Sequence, residues 1–360
     1  MIFSISNFFR NVAIIVLTLF TATSAFAQAG ADTQYMYVCN QGSATVSVID
    51  VSTNTITDTV DLQELGFSAN AKPHHAVADK DGEFWYVTLI GENKVLKFDR
   101  NNELQGSAEL EVPGLMAMHP EKDLLYVGRS MSAVNPPQSF GIVNRTTMEV
   151  LEEVDLFFTR PHAITTTPNG EWAYVGSLSE NQILSLNTET EETNLINVPG
   201  SPHTFVNFAV TPDGNNMIAT GQISGKLLIF DIRDPLSPQL AATLDVGAQP
   251  WHPVISSDGK HAYFANKEDH SVSVINLEDG AIEATITGNG LAQPHGAALS
   301  QDDKYLYITN NNLDGTYNPE GLKETGNLPG TVVVINTETN TIEKVIEVGR
   351  YPSGIGTNAR

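Results

Sequence analysis

Seven recurrences of a short aromatic-valine strand about 40 to 50 residues apart, with polar turns before them and alternating strands after them, predict an all-β fold: a seven-bladed β-propeller of four-stranded blades. The recurring strand reads Tyr37-Val38-Cys39-Asn40, Tyr86-Val87-Thr88-Leu89, Tyr126-Val127-Gly128-Arg129, Tyr174-Val175-Gly176-Ser177, Ile218-Ala219-Thr220-Gly221, Tyr263-Phe264-Ala265-Asn266 and Tyr307-Ile308-Thr309-Asn310. Before it stands a turn such as Pro212-Asp213-Gly214 or Ser257-Asp258-Gly259, residue types that suit tight turns. After it comes an alternating strand, as in Val46-Ser47-Val48-Ile49-Asp50, and then a fourth strand, as in Thr341 to Val348. One such unit cannot bury both of its apolar faces, so the units must stack around an axis.

Pro73, Pro113, Pro161, Pro202, Pro250, Pro294 and Pro352 are expected to open seven inner strands. The first unit, starting near Tyr35, has no such Pro; the run Pro352-Ser353-Gly354-Ile355-Gly356-Thr357 supplies one. The C-terminal strand should therefore complete the first blade and close the ring, which removes the exposed sheet edge. The organisation expected is a signal peptide over 1–27, an N-terminal segment over 28–34 and a propeller domain over 35–360.

The signal is read from Arg10, the apolar stretch Val12 to Phe20 and the small residues Ala25-Phe26-Ala27 before Gln28. It implies a periplasmic or secreted protein, with no membrane span after cleavage. Among 360 residues, 41% are hydrophobic, enough for a large core, and 28 Gly with 18 Pro fit many turns. Cys39 is the single cysteine, so no internal disulfide supports the fold, and its strand position marks it as a buried small side chain. A formal charge of −23 excludes nucleic-acid binding through a basic face. Nothing in the chain points to more than one copy, and a monomer is expected.

Strands of a propeller alternate in direction, so the loop entering each inner strand shares a face with the loop between strands two and three. The steps Pro73-His74-His75, Pro161-His162, Pro202-His203, Pro250-Trp251-His252 and Pro294-His295 should thus gather His74, His75, His162, His203, His252 and His295 at one mouth of the channel. Neutral imidazoles are common ligands of copper and other transition metals, which makes these six the candidate metal ligands. Register ranks them. His74, His162 and His295 share one position relative to the turn aspartate, whereas His75 and His252 fall one residue later, a shift that reverses a side chain in a regular strand. The unit of His203 carries extra residues. Arg129, Arg160, Lys72 and Trp251 are candidates to hold an anionic or aromatic ligand near the same mouth.

Other features receive simpler assignments. His119 and His261 are expected on the surface of the opposite face, and His270 in a solvated loop. Loops 130–139 and 311–330 break the repeat length on the histidine face and should shape access. Asn310-x-Asn312-x-Asp314-Gly315 is similar to a calcium loop, but it begins with Asn and Glu320 falls one place short of the bidentate acid, which argues against calcium. No Gly-x-Ser-x-Gly elbow, His-Glu-x-x-His helix or phosphate loop occurs, so no catalytic residue is assigned.

Tyr307-Ile308-Thr309-Asn310, the Ser/Thr-Pro-Asp-Gly turns and the Val-x-Val-Ile-Asp strands resemble the YVTN family of seven-bladed propellers, over about residues 35 to 357. That resemblance implies an exported surface or binding protein; more distant propellers carry lactonase, lyase, haem or copper chemistry. The Pro-His steps also resemble those of the nitrous oxide reductase propeller domain, where histidines hold a copper-sulfide cluster. This chain lacks that enzyme's cupredoxin domain and its paired cysteines. The reading adopted is an exported propeller that binds a metal ion or small ligand at a histidine-lined mouth. Two alternatives stand beside it: an enzyme using the same histidines, as a metal-assisted lyase or lactonase or a haem- or copper-dependent oxidoreductase, and a scaffold that contacts another exported protein.

Overall fold

The computed structural model describes residues 34–131, 134–135, 137–319 and 327–358. The expected signal peptide and residues 28–33 lie outside the described residues. From Tyr35 onward the chain forms seven four-stranded antiparallel sheets, the blades of an all-β propeller. Blade 1 has the order Pro352–Thr357, Tyr35–Asn40, Thr45–Asp50, Thr55–Asp61, so the C-terminal strand completes it as expected. Blades 2 to 7 begin with Pro73–Ala78, Pro113–Met118, Pro161–Thr166, Phe205–Val210, Val254–Ile255 and Pro294–Leu299, and each runs consecutively outward. Among the described residues no helix is long and apolar enough to cross a membrane.

The recurring strand has a physical reason at each position. Its tyrosine packs in the core; Tyr37, Tyr86, Tyr126, Tyr174 and Tyr307 are all buried. Its threonine ties neighbouring blades: Thr88 Oγ1 donates to Gly114 O (2.9 Å) and Thr309 Oγ1 to Ser353 O (2.6 Å). Its final asparagine clamps the next strand, Asn40 through Thr45 and Ser47, Asn266 through Ser271 and Ser273. In the turns, Thr211, Ser256 and Ser300 donate to Asp213, Asp258 and Asp302, which fixes the hairpins on the far face. Third strands are buried and fourth strands largely exposed, the pattern of a sheet whose outer edge meets water.

Each inner strand starts from a residue in the left-handed region: Lys72, Val112, Arg160, Thr204, Gln249, Gln293 and Tyr351 have φ between 41° and 60°. Six of them precede the marker proline. The seventh corrects the sequence reading, because Thr204 precedes Phe205, so Phe205 and not Pro202 opens the blade 5 strand. Blade 6 also departs from expectation: its inner strand is only two residues long, and Pro250 meets Asn266 through an isolated bridge. Beyond the opening residue the pairing register shifts, between Pro73 and Ala76, Pro113 and Met116, Phe205 and Phe208, and Pro294 and Ala297. These bulges bend the strand as it enters the channel.

Candidate functional site at the channel mouth

The residue after each opening position forms a ring of equivalents: Ser353, His74, Gly114, His162, Val206, Trp251 and His295. His75 and His252 occupy the next position. The register shift of blade 2 spans His74 and His75, and blade 6 leaves Trp251 and His252 between an isolated bridge at Pro250 and a strand that starts at Val254, so the two sets of side chains meet instead of pointing apart, which overrides the one-residue register argument. The ring centres of His74 and His162 lie 5.9 Å apart, His75 and His252 6.3 Å, and His252 and His295 5.1 Å. Trp251 stacks on His295 at 4.1 Å. Of these rings only His75 is partly exposed; the others are buried.

Hydrogen bonds assign the protons. His162 Nδ1 lies 2.8 Å from the Arg129 carbonyl, an acceptor, so Nδ1 carries the proton and Nε2 the lone pair. Gly114 makes this anchor accessible, since a Cβ there would stand 2.5 Å from the same carbonyl oxygen. His75 is the opposite tautomer: its Nδ1 accepts from the Met116 amide at 3.2 Å, which places its proton on Nε2. His74 Nδ1 has a long contact, 3.4 Å, with Gln41. At the mouth, four buried histidine nitrogens have no partner: Nε2 of His74, His162 and His252, and Nδ1 of His295. Trp251 Nε1 is a fifth unpartnered buried nitrogen.

Burial is the first cause that keeps these imidazoles neutral. It lowers His75 and His162 to about 4 and holds His74, His252 and His295 well below the ordinary histidine value. Neighbouring cationic groups add to this, His162 acting on His74 and Lys267 on His295. Every charge acting on the five rings is another imidazole or Lys267, so no carboxylate offsets them. Lys267 itself stands over the Trp251 ring, 5.1 Å from its centre, and burial lowers its ammonium to about 8.

The remaining candidates are placed differently. His203 lies ahead of the blade 5 strand, its Nε2 on the Pro199 carbonyl and its Nδ1 on Ser224, with its ring against Phe205. Arg129 is fully buried and spends its guanidinium on Ser139, the Glu111 carbonyl and Glu153. Arg160 donates to the Met131 carbonyl, and Lys72 contributes a carbonyl to the Ile90 amide. Met131 in turn packs against Trp251, Val206 and Ala265 on the Trp251 side of the mouth. In loop 311–330, Asn312 bonds Tyr317 and Pro329 carbonyls and Asp314 pairs with His270 (3.3 Å), so these side chains hold the loop itself. Glu320 lies outside the described residues.

Two further histidines depart from their expected settings, whereas His261 stays partly exposed. His119 is buried and caps its turn, accepting from the Glu121 and Lys122 amides. His261 pairs with Glu283 at 3.1 Å, and His270 is fixed by Gln293 and Asp314 rather than solvated. Lys267 was missed by sequence reasoning. It follows Asn266 directly, at the place where Gln41 reaches His74 in blade 1, and aligning that position across the blades would have found it.

A family model described as lactonase, seven-bladed β-propeller matches residues 21–240 and 102–329. Two uncharacterised proteins of Staphylococcus epidermidis strains are each 30% identical over 112 residues, 29% of this chain and 33% of theirs, so the match spans about one third of their length. Among solved structures, hydrazine synthase of Kuenenia stuttgartiensis superposes with a TM-score of 0.64 at 18% identity, covering 79% of this chain and 89% of that one. A protein of unknown function from Desulfotomaculum acetoxidans gives 0.72 at 15% identity, with 90% and 98% covered. These structural likenesses speak for the fold, while the family match extends over most of the sequence. The chain belongs to the lactonase family of seven-bladed β-propellers.

Proposed function

We propose that this propeller is an exported binding protein that holds a transition metal ion, copper above all, at its channel mouth. One observation carries the reading: four buried imidazoles, in the close pairs His74–His162 and His252–His295, present nitrogens without a partner, and that of His162 must carry a lone pair. A buried polar atom left unpaired costs about 1–3 kcal/mol, so such a group favours whatever satisfies it. His162, His74, His252 and His295 would be the ligands. His75 and His203 would not, because a neutral imidazole has one lone pair and theirs is used by the Met116 amide and Ser224.

The donor chemistry fits. Neutral nitrogen ligands suit copper, nickel and zinc, whereas calcium and magnesium need oxygen. An imidazole nitrogen sits about 2 Å from its metal, so two rings on one ion have centres at most roughly 6 Å apart. The His252–His295 and His74–His162 pairs satisfy this. Among the described residues no three ligand groups already surround one point, so loading would require the rings to turn inward. The likeness to the Pro-His steps of the nitrous oxide reductase propeller also supports copper.

Full-length protein incubated with copper and then dialysed should retain it in stoichiometric amount by elemental analysis. The His74→Ala/His162→Ala/His295→Ala variant should retain none. Equal copper in both would overturn the reading.

Family membership favours a second reading, lactone hydrolysis with a mouth imidazole as general base. Acid release from γ-butyrolactone in a pH-stat, lost in the same triple variant, would establish it.

A further inference from the structure

Trp251 and Lys267 require a partner that a metal ion does not supply. An indole nitrogen is a donor and nothing else, yet Trp251 Nε1 is buried without an acceptor. The Lys267 ammonium stands over the same ring, and Glu268, the one acid that acts on it, is instead bonded by Gln249. On the other side of this corner Trp251 stacks on His295, whose Nδ1 is also unpartnered. An ammonium and an indole N–H thus come together with no carboxylate bonded to either. Such a set is complementary to negative charge carried on hydrogen-bond acceptors.

We propose that the Lys267–Trp251 corner of the channel mouth binds a small carboxylate anion, its oxygens accepting from Lys267 Nζ and Trp251 Nε1. The corner is walled by Val206, Ala265 and Met131, so the carbon end of the ligand meets apolar surface. Lys267 is the half-buried member that opens the corner to solvent. The ligand must be small, because Val206 and Ala265 are fully buried and Trp251 is 2% exposed. The inference rests on the channel mouth being the binding site, as proposed above, and not on the metal.

Acetate and its neutral isostere acetamide test it by calorimetry on the full chain, both metal-free and copper-loaded. Acetate should bind saturably and acetamide at least roughly tenfold more weakly, as expected for the loss of charge-assisted bonds. Lys267→Met should weaken acetate by a similar factor, and Trp251→Phe, which keeps a ring and removes the N–H, by several-fold. Both variants should keep the wild-type circular dichroism spectrum and melting temperature within a few degrees, so that the loss reports on the site. Equal binding of acetate and acetamide, no saturable acetate binding, or an unaffected Lys267→Met variant would overturn the anion site. Copper content of the same samples separates the two ideas. Copper retained without acetate binding overturns the anion site alone; acetate bound without copper retention supports it and overturns the metal reading alone.

Discussion

Ser353 Oγ donates to the main-chain carbonyl of His74 at 3.1 Å, so the last strand of the chain grips the first histidine of the mouth. Gly354 lets it approach, since a Cβ there would stand 2.3 Å from that same carbonyl oxygen and 2.8 Å from His75 Cα. Fold closure and site geometry are one contact.

Removing residues 352–360 should therefore cost more than one strand. Blade 1 loses its inner strand, the channel wall opens beside His74, and copper retention should disappear together with a cooperative thermal transition. The gentler Gly354→Val change should destabilise by about 1–3 kcal/mol, the usual cost of overpacking. Urea unfolding measures it; a wild-type midpoint would mean that the strand is not packed against blade 2.

Acid should weaken the fold through the imidazoles. Their folded values lie below the unfolded value of about 6.5, so the unfolded chain takes up protons first as pH falls. Stability is then full above pH 6.5, declines toward pH 4 and levels off below the folded value. For His162, lowered to about 4, this amounts to roughly 3 kcal/mol. Melting temperatures between pH 7 and 4 should fall less steeply for His162→Gln than for wild type. Burial also corrects the simple expectation that metal affinity fails near pH 6.5; it should persist to lower pH.

Trp85 of blade 2 packs against blade 1. Its ring is stacked between Tyr37 (4.6 Å) and Phe98 (4.3 Å), and its Nε1 donates to Asn102. Trp85→Ala should cost about 3–5 kcal/mol, read by chemical denaturation, with no change in the copper affinity of the folded fraction.

Arg129 should behave as a structural residue. Arg129→Ala strips the donor from the buried Ser139 and from the Glu111 carbonyl and the half-exposed Glu153, a loss of about 1–3 kcal/mol for the buried acceptor left unmade. Unchanged stability with weakened ligand binding would restore it as a binding residue.

His75→Ala and His203→Ala provide the sharpest contrast with His162→Ala. The first two should leave copper retention near wild type, because their lone pairs serve Met116 and Ser224. Loss of copper in either would mean that those bonds break on loading.

The fold was open to reading because most blades repeat the same tyrosine, the same turn aspartate and, where present, the same clamping asparagine, so a departure such as Ile218 at one unit is corrected by the others. The missing first proline and its supply at Pro352 could be counted directly. What could not be counted was backbone irregularity. The irregular strand entries that let His75 meet His252, and His252 meet His295, leave no mark on residue type, and Pro202 imitates a marker that belongs three places later, at Phe205. Lys267 escaped because attention followed histidine identity, whereas the channel is built from equivalent positions. Arg129 looked available because charge in a sequence carries no sign of burial.

The strand that seals the ring pairs with the strand most distant from it in the sequence. Tyr35–Asn40 must wait for Pro352–Thr357 across nearly the whole length of the polypeptide, a pairing of extreme sequence separation that favours slow assembly. Until then the His74 side of the mouth lacks the wall that Ser353 and Gly354 build against it, so the mouth is finished only when the ring is.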